Sequence, residues 1–94
     1  MELSAAQRQA IADLQNFYSE AQTAYEHLQL LKQSTEMAEQ SLRLTNLRYQ
    51  AGEASALEVV DAQNTLTAAG NNYHDGQARY HLALANLQTL TGAF

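Results

Sequence analysis

Cysteine, proline and tryptophan are absent from this sequence of 94 residues, and glycine occurs only four times. Without cysteine the chain has no disulfide, no thiolate nucleophile and no cysteine-based zinc site. Without proline it lacks the strongest helix breaker, and its many alanine, leucine and glutamine residues favour helix. Few β-branched hydrophobic residues are available to build a sheet. The length and composition therefore predict one small, all-α domain spanning residues 1–94.

Basic residues are also scarce. The formal net charge is −5, and the five basic residues are spread along the sequence at Arg8, Lys32, Arg43, Arg48 and Arg79. A protein that binds nucleic acid needs a basic stripe to neutralise phosphates, and no such stripe is present. The same scarcity argues against an anionic membrane surface as a partner. We therefore expect neither nucleic acid nor a lipid surface to bind this chain.

Long apolar runs are missing as well. No stretch of about 18 apolar residues occurs, so the sequence predicts no membrane-spanning helix. Residues 1–4 lack the basic and apolar regions of a secretory signal peptide. If the native protein is exported, we expect this chain to be a mature fragment of it that is itself soluble.

Two apolar stripes run along the chain in steps that alternate between three and four residues, which is the heptad spacing of a coiled coil. The first stripe consists of Leu14, Phe17, Ala21, Ala24, Leu28, Leu31, Thr35, Ala38, Leu42, Thr45 and Tyr49. The second consists of Val59, Ala62, Leu66, Ala69, Tyr73, Gly76, Tyr80, Ala83, Leu87, Leu90 and Phe94. Each stripe predicts one long amphipathic helix.

The two stripes stay in phase when they are paired antiparallel. Tyr49 then faces Val59, and the same phase continues to Leu14 and Phe94. Two unrelated stripes would keep this phase only by chance, so we infer that the helices pack on each other. The predicted fold is one long antiparallel helical hairpin, with helices at about residues 4–51 and 55–92 and a tip turn at residues 52–55.

The residues at the predicted helix ends have the expected capping chemistry. Gly52 suits the position after a helix, where φ is usually positive. Ser55 can begin the second helix, with Glu58 placed three residues later to complete a capping box. Ser4 and Gln7 have the same spacing at the start of the first helix. These signals fix the position of the turn.

Two glycines lie inside the second predicted helix, where each costs about 1 kcal/mol relative to alanine. The antiparallel pairing places Gly76 opposite Leu31, so we expect the missing side chain to make room for the leucine. Gly70 lies off the stripe, and no feature of the sequence explains it.

A second apolar line lies away from the first stripe. On the first helix it comprises Leu30, Met37, Leu44 and Leu47, and three further residues widen the stripe near its start, namely Ile11, Tyr18 and Tyr25. An isolated hairpin would expose these side chains. We therefore expect the hairpin to pack against other helices, either in an oligomer or in the rest of a larger protein.

No constellation of catalytic or metal-binding residues stands out. A rod of two helices has no evident substrate pocket and brings no Ser-His-acid set together, so we do not expect an enzyme or a cofactor. The pairing puts His27 opposite His81, with His74 on the same face as His81. Metal-binding helices usually use spacings of three or four residues, so exposed flank histidines are the preferred interpretation and no metal site is predicted.

The tip carries a distinctive set of residues, namely Arg48, Tyr49, Gly52, Ser55, Glu58, Val59, Val60, Asp61, Ala62, Gln63 and Leu66. This set resembles the outer-membrane efflux (TolC) family, whose periplasmic hairpins carry an Arg-Tyr-x-x-Gly turn, a small or polar segment, an acidic-Val-Leu/Val-Asp-Ala-Gln run and a Leu. Tyr80, Ala83, Leu87 and Gly92 fit the Ala/Tyr-rich helix that follows in the family. The resemblance covers nearly the whole chain, and its specific part is about twenty residues.

This resemblance implies a role in export without chemistry. Family members are trimers whose hairpins form a hollow periplasmic α-barrel, continued by a β-barrel in the outer membrane. Without the β-strands of a complete member, we expect the chain not to form a pore by itself. A periplasmic adaptor docks at the hairpin tips. The chain would thus be a fragment of a larger α-barrel in the periplasm of a Gram-negative cell, with the adaptor hairpin and the other hairpins of the channel as partners.

The resemblance also implies roles for individual residues. The tip that contacts the adaptor would comprise Gly52, Glu53, Ala54 and Ser55. The entrance or lumen residues would be Tyr49, Glu58 and Asp61. Ala54 stands where some members have an arginine, so the basic partner of a gating salt bridge is missing at this position. For Glu58 a role as helix cap and a role at the entrance remain equally open, since acidic residues also favour the first turn of a helix.

Two other classes of protein remain open. The adaptors of the same pumps have a long hairpin with an Arg-Leu and Ser tip pattern, which Arg43, Leu44 and Ser55 resemble loosely. A stand-alone coiled-coil interaction module is the other alternative. The glycine that precedes Ser55, together with the acidic run that follows it, favours the channel.

Overall fold

The computed structural model describes residues 4–92, which form two long helices. Helix α1 spans Ala5–Gln50 and helix α2 spans Ala56–Gly92. They lie antiparallel in a rod with principal extents of 75 × 18 × 15 Å. The predicted all-α hairpin is therefore confirmed, and both helices end within a residue of the expected positions. Within the described range, neither helix combines the length and apolar character that crossing a membrane requires.

Helix α1 begins with the predicted capping box at Ser4. The Gln7 amide donates to Ser4 Oγ over 3.1 Å, and the Ser4 amide donates to Gln7 Oε1 over 2.9 Å. Ser4 itself has extended backbone angles, with φ −63° and ψ 162°. Two amides that have no partner within the helix are thereby satisfied, and the start of α1 is fixed.

The contact between α1 and α2 follows the two heptad stripes. Ala21, Ala38, Gly76 and Ala83 are buried, and the other described stripe residues are half-buried except Tyr49. Phe94, the predicted partner of Leu14, lies outside the described residues. The buried positions carry only alanine or glycine, so the helices approach closely and no thick hydrophobic core forms between them.

Leu31 approaches Gly76 so closely that a side chain there would make the leucine move. A Cβ atom built on Gly76 would lie 2.6 Å from Leu31 Cδ1, nearer than carbon atoms normally approach. The expectation that this glycine admits Leu31 is confirmed. Gly70 has no neighbouring atom within 4 Å of a Cβ placed on it, and nothing in the structure explains why it is glycine.

A hydrogen bond also joins the helices near the middle of the rod. The Thr35 hydroxyl lies 2.9 Å from the carbonyl oxygen of Leu31, one turn earlier, and 3.3 Å from the carbonyl oxygen of Ala69 in α2. The hydroxyl has one hydrogen to donate and shares it between these acceptors. A shift of α1 along α2 would separate Thr35 from Ala69, so this hydrogen bond favours the observed register of the two helices.

Candidate docking tip

Helix α1 ends in a Schellman motif centred on Gly52. Gly52 has a φ of 80°, and no other described residue has a positive φ. The Gly52 amide donates to the Tyr49 carbonyl over 3.0 Å, and the Glu53 amide donates to the Arg48 carbonyl over 2.7 Å. Glycine adopts this backbone conformation without steric cost, so the sequence stops α1 and reverses the chain here.

Helix α2 begins at Ser55 with one of the two hydrogen bonds predicted there. The Glu58 amide donates to Ser55 Oγ over 3.2 Å, as an N-cap requires. The expected return hydrogen bond, from the Ser55 amide to the Glu58 carboxylate, is not among those made by residues 4–92. The carboxylate lies instead with Oε2 3.4 Å from Arg48 Nη1, because the guanidinium across the turn offers it an opposite charge.

Arg48 connects the end of α1, the turn and the start of α2. Its carbonyl oxygen accepts from the Glu53 amide and from the Ala54 amide, the latter over 3.3 Å. Its Nη2 donates to the Glu53 carbonyl over 3.3 Å, while Nη1 pairs with Glu58. Sequence analysis placed Arg48 in the tip motif and assigned it no role. The available signal was a pair of opposite charges on either side of the turn.

The remaining predicted site residues lie around this turn. Residues 52–55 form the end of the rod, with Ala54 half-buried and the others exposed. Tyr49 is 49% exposed, and each of the other described stripe residues is more buried than it. Asp61 is exposed in the second turn of α2, and its carbonyl accepts from the Thr65 hydroxyl. Within residues 4–92, no hydrogen bond or ion pair joins Tyr49, Glu58 and Asp61 to one another.

The predicted second apolar line is exposed along α1. Met37 is 69% exposed, and Leu30, Leu44 and Leu47 are each more than half exposed. Met37, Leu44 and Arg48 line an open groove of about 420 Å³ on this flank. These side chains are where a neighbouring helix would pack.

The exposure of three further hydrophobic residues on α2 was not predicted from the sequence. Leu57 is 69% exposed, and Val60 and Leu82 are also exposed. They lie off the heptad stripe, and isolated apolar residues of this kind carry no periodic signal. Leu57 and Val60 are in the first two turns of α2, so they add apolar surface beside the tip.

The middle of the rod carries an open groove and the histidines of both helices. A groove of about 500 Å³ lies open beside Gly76 and is lined by Glu20, His27 and Arg79 among others. In the part of the chain that the structure describes, no group of three or more His, Cys, Asp or Glu side chains could hold a metal ion. The rings of His74 and His81 lie near Tyr73 and Tyr80, with centroid separations of 6.3 and 6.2 Å.

Comparison with known protein families decides the assignment of this rod. The family model described as outer membrane efflux protein matches residues 1–93. The chain belongs to the outer membrane efflux protein family. This family consists of channel components of the outer membrane and not of enzymes, and its channels are trimeric and work with adaptor proteins.

Neither the search of curated proteins nor that of solved structures gave a match to this chain. The efflux-family assignment therefore rests on the family model, which covers both helices and the turn between them.

Proposed function

We propose that this chain is the periplasmic helical-hairpin segment of a trimeric outer-membrane efflux channel. In this role the two helices form part of the tunnel wall, and the tip docks a periplasmic adaptor. The observation that carries the proposal is the match of the efflux family model to both helices of a 75 Å hairpin. The two helices are joined by one turn, at Gly52.

The tunnel-wall role is supported by the apolar flank of α1. A two-helix rod that exposes Leu30, Met37 and Leu44 leaves a ridge of large hydrophobic side chains in water. Packing on a neighbouring hairpin would bury this ridge, at roughly 25 cal/mol for each Å² removed from water. The wall of an α-barrel supplies such neighbours on both sides of every hairpin.

The docking role is supported by the openness of the tip. No atom lies within 4 Å of the position that a Cβ would occupy on Gly52, so a partner can approach the backbone there. The positive φ of this residue also fixes the direction in which the following residues leave α1. Residues 52–55 would thus present one compact surface to the adaptor hairpin.

The entrance role is supported by the acidic residues that follow the turn. Glu58 and Asp61 lie in the first two turns of α2, and both are exposed. In a trimer each would be repeated around the channel axis, and a ring of carboxylates favours cations over anions. Tyr49, exposed at the end of the α1 stripe, completes the set proposed for the entrance.

The alternatives of an adaptor hairpin and a stand-alone coiled coil receive no comparable support. The matching family model is that of the channel component, not of its adaptor. We therefore test the role of channel hairpin and not that of adaptor hairpin.

The decisive experiment measures binding of this chain to the hairpin domain of its cognate adaptor by isothermal titration calorimetry. We expect Gly52→Leu to weaken binding at least ten-fold, because a side chain would strain the positive φ and cover the open backbone. Asp61→Ala tests the contribution of the neighbouring acid. Gly70→Leu is the matched control, since it makes the same change in α2 at a site that also has nothing within 4 Å.

Two results would contradict the proposal. One is the absence of binding between the wild-type chain and the adaptor hairpin at concentrations where both are folded. The other is equal binding by the Gly52→Leu and Gly70→Leu variants, because a docking site at the tip cannot be indifferent to a leucine at its centre.

A further inference from the structure

The side chain and carbonyl of one residue, Arg48, hold the tip together. We propose that Arg48 is the positioning residue of the tip, which fastens the turn at residues 52–55 to both helices without itself belonging to the contact surface. Its guanidinium reaches forward to Glu53 and across to Glu58, while its carbonyl receives two amides from the turn.

Glu53 is held at both of its backbone polar groups by this one residue. Its amide donates to the Arg48 carbonyl over 2.7 Å, and its carbonyl accepts from Arg48 Nη2 over 3.3 Å. The peptide groups on either side of Glu53 therefore cannot rotate without breaking a contact to Arg48. Such a restraint is needed next to Gly52, because glycine moves between positive and negative φ more easily than any other residue.

The second terminal nitrogen of the guanidinium, Nη1, connects the turn to α2. Nη1 lies 3.4 Å from Glu58 Oε2, so Arg48 reaches the first turn of the following helix. The same Glu58 donates its amide to Ser55 Oγ, which ties the ion pair to the N-cap of α2. A planar guanidinium with several donors can serve two acceptors at once, and a lysine ammonium in the same place would not keep both in this geometry.

The Arg48 contacts have a consequence for docking, and this consequence rests on the proposed function. The surface offered to an adaptor keeps one shape because Arg48 opposes reorientation of the turn. The ion pair also compensates the charge of Glu58. Asp61 has no ion-pair partner among residues 4–92, and neither has the Glu53 carboxylate in the turn, so both acids stay uncompensated.

Amide hydrogen exchange, measured by NMR on the 94-residue chain, tests the positioning role directly. We expect Arg48→Gln to speed exchange of the Glu53 and Ala54 amides about two- to ten-fold, since exposed ion pairs and local openings have effects of this size. Amides in the middle of the rod, such as that of Thr35, should keep their rates. Arg48→Lys should recover part of the protection through its charge.

Arg43→Gln is the matched control, because it removes the same side chain from α1, and Arg43 makes no ion pair or side-chain hydrogen bond among residues 4–92. Helix content from circular dichroism shows whether each variant is folded. Equal tip exchange in Arg48→Gln and Arg43→Gln would overturn the proposal. So would faster exchange along the whole rod, because Arg48 would then support general stability and not the turn.

The outcomes separate this inference from the proposed function. Faster tip exchange in Arg48→Gln, combined with no adaptor binding by the wild-type chain, would support the positioning role and contradict the docking role. Unchanged exchange, combined with binding that is lost in Gly52→Leu, would support docking and contradict the role given to Arg48.

Discussion

Leu31 of α1 occupies the space that a side chain on Gly76 of α2 would need. The two residues are in close contact near the middle of the interface between α1 and α2. A Cβ on Gly76 would lie 2.6 Å from Leu31 Cδ1. The helix-propensity cost of the glycine is thus offset by a close helix contact. This contact fixes the register and the close spacing of α1 and α2 near the middle of the rod.

Replacing Gly76 by alanine should therefore destabilise the hairpin even though alanine is the better helix former. Relieving the clash would push Leu31 or the backbone aside, which costs about 1–3 kcal/mol against a propensity gain of about 1 kcal/mol. We expect a net loss of stability in urea unfolding followed by circular dichroism.

Gly70→Ala provides the control for this prediction. A Cβ at Gly70 meets no atom within 4 Å, so only the gain in helix propensity remains. We expect this variant to be more stable than the wild type by about 0.5–1 kcal/mol. If both alanine variants gained stability, the interlock with Leu31 would be energetically unimportant.

The hydroxyl of Thr35 should contribute to stability through its contact with the other helix. Thr35→Val keeps the shape of the side chain and removes the hydrogen bond to Ala69, for an expected loss of about 0.5–1.5 kcal/mol in the free energy of unfolding. Thr45→Val is the control, since the Thr45 hydroxyl bonds only to Ser41 within its own helix. Similar losses in the two variants would mean that the interhelical contact adds nothing.

The exposed flank of α1 should drive self-association of the chain. We expect sedimentation velocity to show species larger than the monomer as concentration rises, because association would bury Met37 and Leu44. The double substitution Met37→Gln and Leu44→Gln should shift the chain toward monomer. Leu82→Gln, which removes an equally exposed leucine from α2, should shift it less.

A wild-type chain that stays monomeric at high concentration would contradict the prediction of self-association. Equal shifts in the double variant and in Leu82→Gln would mean that general hydrophobicity, and not the α1 flank, causes the association.

The two acids beside the tip should affect ion selectivity unequally. If the proposed trimeric channel is reconstituted in planar bilayers under a salt gradient, Asp61→Asn should lower its preference for cations more than Glu58→Gln. The reason is that Glu58 already has Arg48 as a partner at 3.4 Å. The measured quantity is the reversal potential. A larger effect of Glu58→Gln would show that the ion pair does not compensate its charge in the assembled channel.

Sequence reasoning predicted the features that depend on local chemistry and on period. The heptad spacing located both helices and their facing stripes, and the antiparallel phase placed Leu31 opposite Gly76. Gly52 and Ser55 marked the turn, because a positive φ and an N-cap each favour few residue types. These signals are contained in neighbouring residues, or in one regular repeat, and need no coordinates.

The features that sequence reasoning missed depend on directions of side chains in space. Glu58 was expected to complete a capping box, but its carboxylate turns to Arg48, which lies on the other helix. Leu57, Val60 and Leu82 belong to no apolar repeat, so the sequence did not predict their exposure. Gly70 remains unexplained by both the sequence and the structure.

The hairpin topology has a consequence for the order in which the chain folds. Residues that pair next to the turn, such as Thr45 and Ala62, are close in sequence, so bringing them together costs little loop entropy. Once the pairs near the turn have formed, each pair farther along the rod costs no more loop entropy than they did. We therefore expect the helices to pair progressively from the tip outward. On this basis the structure should start at the turn around Gly52, and the parts of the helices farthest from the turn should join last and open first.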